Sequence, residues 1–231
     1  MQIKKIGLIT YHHPHLKSEQ VLQRLLGLNR EYEFRMFALP FMPRVPRKTL
    51  IQHRPDQSKA VHPQMMAEKH RISYAECSDD RDIDGSCDVY LVLGAGILSA
   101  ECVEGKRIIN AHPGLIPACR GLDSFKWAIY DAKPMGITLH YIDEQVDAGE
   151  IIATVPTYVY STDSIITLSR RHYENEIDMM ARFADFLDQP RNPYQDLEQG
   201  EAKRRMPREE EKEVTKRFHA YREQFGGREV E

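Results

Sequence analysis

Apolar positions along the chain gather into short runs separated by amphipathic stretches. Residues 3–10, rich in Ile and Leu, read as a buried strand, parallel and central in a sheet. Residues 17–30 carry Val21, Leu22, Leu25, Leu26 and Leu28 on one helical face, and residues 33–39 read as a second strand. That order predicts a βαβ unit. Pro63 fits the first turn of a helix over 63–69. Residues 88–93 form the clearest buried strand, and 107–110 a short one. A helix is predicted over 123–131 with Asp123 as its cap, followed by strands over 136–142 and 151–160. Ser161-Thr162-Asp163-Ser164 is a cap signal that opens a helix running through Leu187. The pattern predicts an α/β protein: a Rossmann-like open, mostly parallel sheet with helices on both faces and a short C-terminal helical tail.

Two stretches depart from this rhythm. Residues 41–57 hold Pro43, Pro46 and Pro55 and show no period. Between Glu33 and Asp56 stand Arg35, Arg44, Arg47, Lys48 and Arg54, with no acid among them. A long irregular basic segment is either a solvated loop or an anion contact, for which Arg is well suited. Beyond Pro190 the residues Asn192, Pro193 and Gly200 mark a linker, dividing the chain into a body over 1–190 and a tail over 191–231. Pro207 opens the last helix, with Glu209, Glu210 and Glu211 where its dipole favours acids. Val214, Phe218, Tyr221 and Phe225 form one apolar stripe. The stripe suits packing on the body or a homodimer contact.

Composition narrows the function. The formal net charge of -3 provides no basic field for nucleic acid. No apolar run is long enough for a membrane span. The first residues lack an apolar signal segment, and no cysteine pair has CxxC spacing, so a cytoplasmic chain with reduced thiols is expected.

Candidate chemistry appears in two places. Gly94-Ala95-Gly96-Ile97-Leu98-Ser99 follows the best strand but lacks the third glycine of a dinucleotide fingerprint. The second is Asn110-Ala111-His112-Pro113-Gly114-Leu115-Ile116-Pro117, then Arg120-Gly121, then a strand carrying His140, then an acidic loop with Asp143 and Asp147. Alternation puts Asn110 and His112 on one side of a strand end, where each can donate a hydrogen bond to one oxygen. A carboxylate from the acidic loop could reach the imidazole, giving a set able to stabilise an oxyanion and move protons.

Asn-x-His-Pro, a following Leu-x-Pro, Arg-Gly and a later Asp-x-x-x-Asp-x-Gly resemble the folate-dependent formyltransferases, over residues 88–152. That family includes enzymes acting on glycinamide ribonucleotide, methionyl-tRNA and amino sugars. The resemblance implies an enzyme using 10-formyltetrahydrofolate as cosubstrate, with no metal, and makes 1–190 its catalytic domain. It implies Asn110 as the oxyanion-binding amide, His112 as the catalytic imidazole and Asp147 as the carboxylate that tunes it. It further implies a pterin pocket formed by Leu93, Gly94, Ala95, Gly96, Ile97 and Leu98 on one side and His140, Tyr141, Ile142 and Asp143 on the other.

The acceptor is read more indirectly. The first strand leads into Tyr11-His12-His13-Pro14-His15, not a glycine-rich phosphate loop, which argues against the purine-pathway members. The segment 191–231 is too short for the barrel domain of the methionyl-tRNA enzymes. Tyr11, His12 and His13 are expected to line the amine pocket and Arg120 to contact the acceptor, with Arg44, Arg47, Lys48 and Arg54 holding a phosphate or pyrophosphate. The favoured acceptor is a nucleotide-linked amino sugar. A phosphorylated small amine such as glycinamide ribonucleotide, a hydrolase using water, and a non-catalytic nucleotide-binding module stay open as rivals.

Overall fold

Ile6 and Leu8 turn to one face of the first strand and Ile9 to the other, and all three are fully buried. This two-sided burial marks the interior of a layered sheet. The computed structural model describes residues 3–43, 48–143 and 149–227. Its sheet has seven strands: β1 (Lys5–Tyr11), β2 (Glu33–Leu39), β3 (Ser73–Glu76), β4 (Val89–Val92), β5 (Ile108–His112), β6 (Gly136–Tyr141) and β7 (Ile151–Pro156). Their spatial order is β3-β2-β1-β4-β5-β6-β7. The first five are parallel; β6 is antiparallel to both β5 and β7. The expectation of an open, mostly parallel α/β sheet is met.

One face packs α1 (Leu16–Gly27), α2 (Pro63–His70), α5 (Ile165–Ala181) and α6 (Phe183–Asp188) onto Ile6, Leu8, Met36, Leu91 and Ile109. The opposite face is covered more thinly, by Leu98 and by Cys102 of the short α3 (Ala100–Val103) over Ile9, Phe37, Tyr90, Val92 and Ile108. At the sheet's end, α4 (Ser124–Tyr130) meets α7 (Arg208–Phe225) in a separate cluster. Val214, Phe218 and Tyr221 of the last helix are buried there, each contributing about 1.5–3 kcal/mol. The apolar stripe on the tail is thus used within the chain.

Three local expectations change. Asp123 stands at the N-cap position of α4 but makes no side-chain cap bond, and its φ is 56°. Its carboxylate instead accepts from Lys126 Nζ and from the Met206 amide. The helix expected to run through Leu187 breaks at Arg182, and the turn drives Phe183 fully into the core. The strand expected to run to Tyr160 ends at Pro156, which has no N–H for the ladder. Val159 and Tyr160 pair instead with Gly226 and Gly227. All four cysteines are free. Among the described residues no helix is long and apolar enough to cross a membrane.

Candidate active site

The chain leaves β1 toward one sheet edge and returns to β4, so the C-terminal ends of these strands flank a crevice. There the structure has a cleft of about 1070 Å³, ample for a small-molecule ligand. Leu93 to Leu98, with Ile142 and Asp143, line one side, and Asn110, His112 and His140 the middle. The other side is formed by Tyr11, His15 and Lys17, by 51–54, by 121–126, and by His172, Tyr173 and Glu176 of α5.

The central residues are placed by the β5–β6 register, which sets Asn110 opposite His140. A bulge between Leu139 and His140 interrupts the β6–β7 pairing, a device that re-aims a side chain. His140 Nδ1 lies 2.9 Å from the Tyr141 carbonyl and therefore donates to it. Its Nε2 lies 3.3 Å from Asn110 Nδ2 and accepts one amide hydrogen. The Asn110 amide is thereby oriented with its nitrogen toward His140. His112 is buried and fixed through Nε2, which donates to the Cys119 carbonyl at 2.9 Å and lies 3.2 Å from Ser124 Oγ. Ser124 in turn donates to the Gly121 carbonyl at 3.0 Å. A Cβ at Gly114 would lie 2.4 Å from that same Cys119 oxygen and 2.8 Å from His112 Nε2. The close packing around the imidazole therefore requires glycine after His112-Pro113.

Two buried charge clusters flank this centre. Glu176 binds Lys17 Nζ at 2.8 Å and also pairs with Arg54, leaving a surplus positive charge. Burial alone would raise the Glu176 carboxyl, but Arg54 and then Lys17 outweigh it and hold it at about 2. In the same wall, Lys126 binds Asp123 at 3.1 Å and Glu211 at 2.6 Å, a surplus negative charge. Glu211 also accepts from the Leu50 amide at 2.7 Å, so the last helix holds the loop that carries His53 and Arg54. His15 is pushed down to about 4 by burial, then by Lys17 and Arg54. Fully buried His172 is also lowered to about 4, chiefly by burial, and bridges Thr157 Oγ1 and the Pro113 carbonyl.

The residues expected from sequence are only partly gathered here. Asn110, His112, His140, Ile142, Asp143 and the segment from Leu93 to Leu98 line one cleft, and Tyr11 and Arg54 join them. Tyr141 does not line it; its hydroxyl meets Arg107 and its ring packs against the main core. His12 does not line it either, because its ring is held between Tyr74, Glu76 and His62. His13 stacks on Phe41 instead. Lys48 is exposed and Arg120 lies on the short pairing with Ala202, neither in the cleft wall. Asp147, Arg44 and Arg47 lie outside the described residues. Gly94 makes room for Tyr11 and His15, whose atoms would lie within 3.0 Å of a Cβ there. Among the described residues no group of three His, Cys, Asp or Glu is arranged to hold a metal ion.

Sequence reasoning missed Lys17, His53, Asp123, Ser124, Lys126, His172 and Glu176, all in the cleft wall. A signal existed for two of them. His172 and Glu176 fall on the buried face of α5 beside Leu168, Tyr173 and Ile177, and a polar pair in an apolar stripe needs a purpose. The C-terminal segment also contributes Lys203, Arg204 and Arg205 to the wall.

An open sheet with a polar cleft at its switch point defines a Rossmann-like α/β fold. Over 93% of this chain and 87% of the other, that fold superposes on a sugar N-formyltransferase from Shewanella sp FDAARGOS_354, with a TM-score of 0.63 at 17% identity. It also superposes on phosphoribosylglycinamide formyltransferase from Bacillus halodurans, with a TM-score of 0.57 and 21% identity over 83% of this chain and all of that one. Residues 87–183, which carry β4 to α5 and the centre of the cleft, match the Formyl transferase family. The resemblance read from the Asn110 motif is thus that of a formyltransferase segment. The chain is 40% identical over 73 residues to phosphoribosylglycinamide formyltransferase of Bacillus subtilis, covering 31% of this chain and 37% of that protein. It is 34% identical over 88 residues to dTDP-4-amino-4,6-dideoxyglucose formyltransferase of Mycobacterium tuberculosis, covering 38% of each. The matched segment spans little more than a third of either curated relative.

Proposed function

We propose that the protein transfers a formyl group from 10-formyltetrahydrofolate to a primary amine. The observation that carries this reading is the convergence of Asn110 and His112 at the end of β5, beside the 93–98 segment, in one cleft. The cleft suits the cosubstrate: Leu93, Leu98 and Ile142 provide apolar surface, and residues 94–98 lie outside helix and strand with main-chain donors and acceptors. Bound there, the cosubstrate supplies the electrophilic formyl carbon.

The chain's own residues do the rest. The Asn110 amide, oriented by His140, has a second N–H to donate to the formyl oxygen as negative charge develops. His112, anchored through Cys119, adds its imidazole to the same centre. By its place in the motif, Asp147 is the carboxylate that tunes this imidazole. Preorganised donors of this kind are worth about 10²–10³ in rate each.

For the acceptor, a nucleotide-linked amino sugar is favoured. Lys203, Arg204 and Arg205 in the cleft wall, with the positive surplus at Lys17 and Arg54, suit an acceptor carrying phosphate or pyrophosphate. Arg44 and Arg47 are proposed to add to that contact. A phosphorylated small amine is the second reading, supported by the match to the Bacillus subtilis protein. Incubation with 10-formyltetrahydrofolate and either dTDP-4-amino-4,6-dideoxyglucose or glycinamide ribonucleotide tests both. The sugar is expected to gain one carbonyl by mass. Preferential formylation of the ribonucleotide would reverse the order, and product without any amine would make the protein a hydrolase.

A further inference from the structure

Asp123 occupies an unusual position for a residue that caps nothing. Its φ of 56° and ψ of 30° place it in the left-handed region, which a residue with a side chain adopts at a cost. Turned this way, its carboxylate leaves the end of α4 and enters the cleft wall. One oxygen, Oδ2, is saturated by Lys126 Nζ at 3.1 Å and by the Met206 amide at 3.0 Å. The other, Oδ1, faces His53 Nε2 at 3.9 Å, beyond hydrogen-bond reach. His53 itself lines the cleft, its ring stacked on Phe125.

The charge at this point is not cancelled. Lys126 is shared by Asp123 and Glu211, so the trio retains one negative charge, and the Asp123 side chain is only 11% exposed. Burial opposes ionisation of Asp123, but the Lys126 ammonium beside it, with hydrogen bonds from Lys126 and the Met206 amide, outweighs burial and holds its carboxyl below the usual range. The next residue, Ser124, touches His112 Nε2 through Oγ at 3.2 Å. An ionised carboxylate with one available oxygen therefore sits one residue from the group that fixes the catalytic imidazole.

We propose that Asp123 is the residue that binds the acceptor amine, with Oδ1 accepting an N–H bond and so aiming the nitrogen lone pair at the formyl carbon. The assignment rests on the formyl-transfer reading above. In the reaction a new C–N bond forms at the formyl carbon as the donor's own C–N bond breaks. One amine proton passes to the departing nitrogen, and the nearby carboxylate stabilises the positive charge on the amine nitrogen until it leaves. The acceptor class that follows is an amine held between opposite charges: N–H groups at Asp123 and an anionic group toward Lys17 and Arg54.

The test is Asp123→Asn, assayed with 10-formyltetrahydrofolate and, separately, dTDP-4-amino-4,6-dideoxyglucose and glycinamide ribonucleotide. Asn tolerates the left-handed backbone and retains an oxygen for the Met206 amide, while Glu211 still balances Lys126. The KM of the amine turned over should rise about 10- to 100-fold, the loss of a charge-assisted hydrogen bond, and kcat should fall with it, while the donor KM stays unchanged. If the Asn variant fails to fold, Asp123→Gly, which relieves the left-handed backbone, should give the same split. An unchanged acceptor KM, a fall in kcat alone, or equal loss of donor and acceptor affinity would overturn the assignment. Absence of transfer by the unaltered protein to either amine is a different failure: it removes the formyl-transfer reading, and this assignment with it.

Discussion

Asn110 Nδ2 approaches His140 Nε2 to 3.3 Å across the antiparallel pair of β5 and β6. The His140 Nδ1–H is committed to the Tyr141 carbonyl, so Nε2 acts as acceptor and the amide cannot flip without losing this bond. His140 is therefore a positioning residue for Asn110. His140→Leu should lower kcat about tenfold, the worth of one neutral hydrogen bond at the high end, while His140→Gln, which can still accept, should retain more activity. Steady-state kinetics of the two variants check this. Equal activity in both would remove the positioning role.

Asn110 and His112 are expected to act as a unit. Asn110→Ala should reduce kcat about 10²–10³-fold with little change in melting temperature, because the side chain is only half-buried. His112→Ala should lose activity similarly and also cost stability, since its buried ring fills space beside Ser124 and Cys119. The double variant should be little worse than either single one.

Gly114 is constrained by the imidazole beside it. Gly114→Ser would press a Cβ against the Cys119 oxygen and His112 Nε2. The expected outcome is displacement of the His112–Cys119 bond, read as a kcat loss with the donor KM preserved. A fully active Ser variant would show that the imidazole does not depend on that anchor.

The buried trio of Lys126, Asp123 and Glu211 predicts a stability effect. Lys126→Met strands two carboxylates and should cost about 3–5 kcal/mol in urea unfolding. Adding Glu211→Gln should cost less than the sum of the two single changes, because the second change removes a charge the first left unpaired.

The lowered histidines set a pH window. His15 and His172 titrate at about 4 in the folded chain against 6.5 when unfolded, so between those values the unfolded state binds more protons. Their contribution is fully present above pH 6.5 and is lost as pH falls toward 4, each worth on the order of a few kcal/mol. Glu176, depressed from 4.5 to about 2, adds a second loss below that range. The urea midpoint should thus fall from pH 6.5 to 4, and His172→Gln should flatten the slope by about one proton. An unchanged slope would mean that His172 is not buried neutral.

Much of the fold was legible because its signals are local. The bounds of β2 match expectation, and β1, β4 and β5 shift by only a few residues, because apolar runs flanked by polar residues define parallel strands on their own. The helix break at Arg182 was not legible, since the benefit, burial of Phe183, arises only in the packed core. At the site, Asn110 and His112 stood out because strand alternation alone puts them on one side. Asp123 did not, because an aspartate before a helix is ordinarily a cap and its partners, His53, Lys126 and Met206, come from three separate segments. His12 and His13 misled for the opposite reason: adjacency to Tyr11 suggested a shared pocket, while β3 and the chain around Phe41 draw their rings elsewhere.

The central claim is that the cleft at the ends of β1, β4 and β5 moves a formyl group under the control of Asn110 and His112. The direct test is mass spectrometry of an amine library incubated with 10-formyltetrahydrofolate and either the unaltered protein or the Asn110→Ala/His112→Ala variant. One amine should gain a carbonyl with the former and at least about 10²-fold more slowly with the latter. No gain in any amine, or equal rates with both proteins, would contradict it.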